Sequence, residues 1–102
     1  MAYINISKSN YEAEVQNSQI PVLLDFWAPW CGPCRMVVPI VEEIAKERED
    51  IKVVKINIDE QEELARDFGI MTIPTLMVIK DGKIVNRSAG AKRKNAILDM
   101  LQ

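Results

Sequence analysis

The chain has 102 residues, 48% of them apolar and 27% charged, with a formal net charge of −2. That is the size and mix of one globular domain, long enough to bury a core without disulfide staples. The charge gives no bulk attraction to nucleic acid or to an anionic membrane, and no apolar stretch approaches the roughly 18 residues that cross a bilayer.

The N-terminal Met1-Ala2-Tyr3-Ile4-Asn5-Ile6-Ser7 lacks a basic patch followed by a long apolar run, so it does not read as a secretory signal, and a cytoplasmic protein is expected. Tyr3 to Ile6 reads as a short strand, after which Ser7 or Ser9 offers an N-cap for a helix to about Gln16. Val22 to Trp27 is a near-continuous apolar run, the pattern of a strand covered on both faces. From Pro33 the period changes: Met36, Val37, Ile40, Val41, Ile44 and Ala45 recur at helical spacing. Pro33 suits the first turn, where no donor is missed, and Pro39 falls inside the helix, where a kink is expected.

Ile51 to Ile58 is a second buried strand, and Glu60 to Phe68 a short helix stopped by Gly69. Thr75–Lys80 and Lys83–Ser88 read as strands joined by the hairpin turn Asp81-Gly82. Lys92 to Leu101 has helical spacing of Ala96, Ile97, Met100 and Leu101. With no repeat, low-complexity tract or linker, residues 1–102 read as a single domain of order β-α-β-α-β-α-β-β-α. The fold class is α/β, a central mixed sheet with a parallel core and an antiparallel hairpin edge, flanked by helices on both faces. Sites in such sheets lie at the carboxyl ends of the central strands.

The chain has two cysteines, Cys31 and Cys34, and no histidine. Without histidine there is no Ser-His or Cys-His pair, which disfavours a triad hydrolase. Two cysteines make no disulfide framework, so a lone CxxC points to redox or metal chemistry. Zinc and iron–sulfur sites usually need four Cys or His ligands, so a metal here requires carboxylates or a second chain. Two inert buried cysteines are the other alternative, but Gly32 and Pro33 between them make a turn rather than packed core.

The chemistry of a dithiol fits the spacing. Cys31 stands at the mouth of the helix, where free backbone N–H groups and the dipole favour a thiolate. Cys34 lies one turn on, on the same side and further in. Cys31 is therefore expected to be the exposed attacking sulfur and Cys34 the resolving one, with Gly32 permitting the tight entry and Pro33 stiffening it.

The run Phe26-Trp27-Ala28-Pro29-Trp30-Cys31-Gly32-Pro33-Cys34 closely resembles the thioredoxin family. The same order and spacing extend over nearly the whole chain, through Asp25, Pro39, Lys55, Asn57-Ile58-Asp59, Phe68-Gly69-Ile70, Ile73-Pro74-Thr75, Asp81-Gly82 and Gly90-Ala91. The resemblance implies a thioredoxin-like fold, a redox-active Cys31–Cys34 disulfide and reduction of disulfides in client proteins. It also implies recycling by an NADPH-linked, flavin-dependent thioredoxin reductase. A monomer with no bound cofactor and no metal is expected, and the chain has no Gly-rich phosphate loop. A histidine between the cysteines would favour oxidase or isomerase action, and Gly32-Pro33 lacks it. A binding module that uses the fold as a scaffold is the alternative from another class.

Beside the cysteines, three positions, a docking rim and a basic run are singled out. Asp25 is a carboxylate among Leu23, Leu24, Phe26 and Trp27, so its pKa should be raised, and it could take the Cys34 proton through water. Lys55, on the neighbouring strand, could pair with Asp25 and limit that shift, or snorkel to solvent. Pro74 matches the family's cis-proline facing the dithiol, which would free the Ile73 backbone to pair with an extended substrate. Trp30, Met71, Thr72, Ile73, Pro74, Gly90 and Ala91 are expected to form a flat apolar docking rim, with Trp27, Phe26, Phe68, Leu76 and Val78 in the core and Pro29 stiffening the loop. Lys92-Arg93-Lys94 reads either as a solvated helix start or as a patch steering acidic partners.

Overall fold

The computed structural model describes residues 3–102. Met1 and Ala2, part of the N-terminal reading, lie outside them. The elements are β1 (Ile4–Asn5), a π-helical turn (Glu12–Gln16), β2 (Val22–Trp27), α1 (Gly32–Glu47), β3 (Lys52–Asn57), α2 (Glu62–Asp67), β4 (Thr75–Lys80), β5 (Lys83–Ala89) and α3 (Lys94–Met100). The sheet runs β1-β3-β2-β4-β5. β1, β3 and β2 are parallel, and β4 is antiparallel to both β2 and β5. The mixed sheet is thus as expected, with the antiparallel part beginning at β4 rather than only at the last edge.

β2 is central and buried from Val22 to Phe26. Because side chains alternate along a strand, it feeds two cores. Leu23 joins Val53, Leu76 and Val78 beneath Val37, Val41 and Ile44 of α1 and Ile97 and Met100 of α3. Val22, Leu24 and Phe26 join Val54, Ile56, Met77 and Ile79 under Val15 and Leu64 of α2's side. The buried residues of α1 are Cys34, Val37, Val41 and Ile44, at the three- and four-residue steps of one helical face. Met36 departs from the expected stripe and is 68% exposed. The helix continues through Pro39 as one element.

The first helical segment differs most from expectation. Neither serine caps it. The Ser7 N–H donates to the Asn10 Oδ1 at 2.7 Å, and the Asn10 amide donates back to the Asn5 carbonyl at 3.0 Å. The Asn17 N–H reaches Glu12 across a wide π turn. Few apolar residues are available here. The turn buries Val15 and lays Tyr11 against Phe68, ring centroids 5.8 Å apart. Elsewhere the punctuation residues act as read. Gly69 ends α2 at φ +66°, and Asp81 (φ +52°) and Gly82 (φ +77°) make the tight β4–β5 turn. α3 starts later than expected, at Lys94, because Arg93 is extended.

Candidate active site

β2 delivers the chain to the sheet's carboxyl end, and Ala28-Pro29-Trp30 turns it into α1. Cys31 is the residue that caps α1: its backbone is extended and its sulfur accepts the Cys34 N–H at 3.2 Å. The two cysteines are joined as a disulfide, Cα atoms 5.3 Å apart. Cys31 is 4% exposed and Cys34 1%. The exposure expected of Cys31 is therefore not found in this oxidised state: both cysteines are buried, Cys34 slightly more completely. A sulfur that accepts a helix N-terminal amide is stabilised as a thiolate once reduced. Gly32 and Pro33 are exposed above the pair.

The Ile73–Pro74 bond is cis. It brings the Ile73 carbonyl to 3.9 Å from the Cys31 sulfur, and the Ile73 side chain packs with Ala28, Cys31 and Cys34. The Thr75 hydroxyl donates to the Thr72 carbonyl and ties this loop down. The Pro74 carbonyl accepts the Gly90 N–H at 2.7 Å, which sets Gly90-Ala91 beside the same loop.

Asp25 is fully buried, and neither of its carboxyl oxygens has a hydrogen-bond partner among the described residues. Burial pushes its pKa up to about 7, and the nearby charge of Lys55 holds it from going higher. Lys55 stands beside Asp25 in the β2–β3 register but makes no ion pair with it. The ammonium instead sits 4.1 Å from the Tyr3 ring centroid and 4.5 Å from that of Trp27, with a Glu42 carboxylate oxygen at 3.9 Å. The snorkelling alternative fails, since Lys55 is 4% exposed. A cleft of about 370 Å³ opens beside these groups, lined by Trp27, Ala28, Pro29, Cys34, Pro39 and Lys55. The Trp27 indole N–H is buried on this same side, with no partner among the described residues.

Around the disulfide, Trp30 is 65% exposed and Met71 94%, with Thr72 and Ala91 exposed and Ile73 and Gly90 half-buried. The Trp30 indole N–H donates to Asp59 at 2.8 Å. Asp59, Glu42 and Tyr3 were not singled out as site residues from the sequence. Asp59 was visible only as the end of Asn57-Ile58-Asp59, where the Ile58 N–H joins the Trp27 carbonyl and brings β3's exit beside that of β2.

A family model described as Thioredoxin matches residues 2–102. The chain is 50% identical over 97 residues to Thioredoxin 1 of Synechococcus elongatus, covering 94% of this chain and 91% of that protein. It is 49% identical over 102 residues to Thioredoxin 1 of a Nostoc species, covering 99% and 95%. It is 46% identical over 102 residues to Thioredoxin of Bacillus subtilis, covering 99% and 96%.

Proposed function

The chain belongs to the thioredoxin family, and from that premise we propose the residue-level course of its reaction. The protein is a protein-disulfide oxidoreductase that works by dithiol–disulfide exchange at a redox-active cysteine pair. In the reduced form, the Cys31 thiolate attacks one sulfur of a client disulfide. The client's other sulfur leaves as a thiolate, and a mixed disulfide joins Cys31 to the client. Cys34 then loses its proton and attacks the Cys31 sulfur. The client's second sulfur departs with the electron pair of the broken bond. Two electrons have passed to the client, and Cys31–Cys34 is left oxidised.

The observation that carries this assignment is the Cys34 N–H held on the Cys31 sulfur at the start of α1. It favours negative charge on Cys31 as the attacking group, while Cys34 sits deeper. Asp25 takes the Cys34 proton. A carboxyl that titrates near 7 is half ionised at neutral pH and can accept and return a proton with little driving force lost. It makes no direct bond to Cys34, so the proton passes through water, and the cleft under Pro29 and Pro39, lined by Cys34 and by Asp25's strand neighbour Lys55, is where that water enters. Lys55 acts as a positioning residue, keeping Asp25 titrating near neutrality. Trp30, Thr72, Ile73, Pro74, Gly90 and Ala91 form the docking rim, with the Ile73 backbone pairing an extended client strand. Gly32 and Pro33 shape the turn between the two sulfurs.

The working unit is one domain spanning residues 1–102, a cytoplasmic monomer that binds no cofactor or metal. Its electrons come from an NADPH-linked flavoprotein thioredoxin reductase. Among the described residues no helix is long and apolar enough to cross a membrane.

Trapping tests the assignment. A Cys34→Ser variant should hold clients as mixed disulfides on Cys31, and Cys31→Ser should hold none; the opposite pattern would reverse the roles. Insulin reduction with a thioredoxin reductase and NADPH checks the direction of electron flow. Efficient oxidation of reduced clients with no turnover by any reductase would make the protein an oxidant instead. A Cys31→Ser/Cys34→Ser double variant that kept full cellular function would favour the scaffold reading.

A further inference from the structure

We propose that the cleft between α1 and the loop entering α3 is a specificity subsite, seating one apolar side chain of a client and a carboxylate beside it. The inference rests on the oxidoreductase reading above and concerns which clients the docking rim prefers.

The basic run Lys92-Arg93-Lys94 does not act as a unit. Lys94, in the first turn of α3, is held by Glu43 and Glu47 of α1. Lys92 and Arg93 precede the helix and have no ion-pair partner among the described residues. Instead they line a cleft of about 170 Å³ with Met36, Ile40 and Ala91. A cavity of similar size holds one benzene ring, so one apolar side chain fits. Met36 is 68% exposed at this cleft, a flexible thioether able to adjust to different side chains.

The cleft is continuous with the docking rim. Ala91 follows Gly90, whose N–H holds the Pro74 carbonyl, and the adjoining Ile73 carbonyl lies 3.9 Å from the Cys31 sulfur. On the α1 side, Met36 is two residues from Cys34. A client strand laid along Ile73 with its cysteine at Cys31 therefore runs toward this cleft at one of its ends.

Charge selects the occupant. Lys92 and Arg93 favour a carboxylate, and the neighbouring acids Glu43 and Glu47 are already occupied by Lys94. Beside Trp30, by contrast, the exposed acids are Asp59 and Glu60, with the cation Arg35 nearby on the Pro29 carbonyl. A client carrying an acidic residue on the cleft side meets attraction there, whereas the reversed orientation meets repulsion.

The experiment uses disulfide-bonded peptides in which a Leu-Glu or Leu-Lys pair is placed in turn at each nearby position on either side of the attacked cysteine. The reduced protein's rate with each is read as a ratio to its rate with a small uncharged disulfide, too short to reach the cleft. At one placement Leu-Glu should outrun Leu-Lys by about three- to tenfold at low salt, shrinking as salt screens the charges. Lys92→Glu/Arg93→Glu should reverse that preference, and Lys92→Gln/Arg93→Gln should flatten it. No preference at any placement, or one that survives charge reversal, overturns the subsite while leaving the oxidoreductase reading intact. A parent protein inert toward the small disulfide overturns both.

Discussion

The two faces of the central strand are built to different ends. On one, Val22, Leu24 and Phe26 of β2 meet Val54, Ile56, Met77 and Ile79 in an apolar layer that holds no buried charge, its one buried polar side chain being Thr75 opposite Phe26. On the other, Leu23 begins in the same way, but the next positions on that side are Asp25 and Trp27, with Lys55 alongside on β3. That face holds a carboxyl and an indole N–H without partners among the described residues, and an ammonium between two rings. Burying a polar group unpaired costs stability. Both faces of the strand contribute packing, but only the one that begins with Leu23 also holds a titratable group next to the sulfur chemistry. Stability and reactivity are separated by a single residue step.

The largest effect that sharpens this contrast is expected on the apolar face. Phe26→Ala should cost about 3–5 kcal/mol in denaturant unfolding, through lost burial and the cavity left against Phe68. Turnover per folded molecule should stay the same; a drop in turnover at unchanged stability would erase the distinction between the faces.

Asp25→Asn should act in the opposite sense. The Asp25 pKa is raised by folding, from 3.8 to about 7. A raised carboxyl leaves stability unaffected below its unfolded value, lowers it progressively from there to about pH 7, and lowers it by a constant amount above. The stability of Asp25→Asn relative to the parent should therefore grow by about 4 kcal/mol between about pH 3 and pH 8. Resolution of the mixed disulfide should slow at neutral pH and lose its pH dependence near 7. A parallel pair of stability curves would mean that the carboxyl is not buried in its charged form.

Lys55→Met should cost about 1–2 kcal/mol through its contacts with Tyr3 and Trp27. It should also move the Asp25 titration, followed by carboxyl NMR, to higher pH, because the cation that restrains it is gone. An unmoved titration would confine Lys55 to packing. The smallest effect is expected at the rim. Asp59→Ala frees the Trp30 indole, and KM for protein clients should rise about two- to threefold with kcat unchanged, the scale of one exposed hydrogen bond. A fall in kcat instead would place Asp59 in the chemistry.

The apolar face was readable because near-continuous apolar runs such as Val22 to Phe26 and Val53 to Ile56, each broken by one charged residue, fit burial in a sheet. Asp25 stood out for the same reason, as the interruption of such a run. The surroundings of Lys55 were not readable: Tyr3 and Glu42 reach it from β1's approach and from α1, and no local spacing predicts that meeting. Asp59 resembles any solvated acid at a strand end until β3's exit is set beside Trp30. The N-terminal turn was misread because the serines offered a familiar cap, while burial of Val15 and Tyr11's packing on Phe68 decided the geometry. The antiparallel placement of β4 against β2 was hidden as well, since alternating strands and helices are compatible with either direction.

Asp25's isolation also bears on how the whole molecule responds to acid. With no histidine in the chain and both thiols tied up in the disulfide, it is the one side chain whose shifted titration falls at neutrality. The formal charge of −2 counts it as ionised, so around pH 7 the oxidised protein is about half a charge less negative than its composition implies, and the difference grows toward one charge as the pH falls further. The difference in electrophoretic mobility between the parent and an Asp25→Asn protein across that range thus reports the state of a single interior oxygen pair, since every other titrating group, the terminal amine included, is common to both.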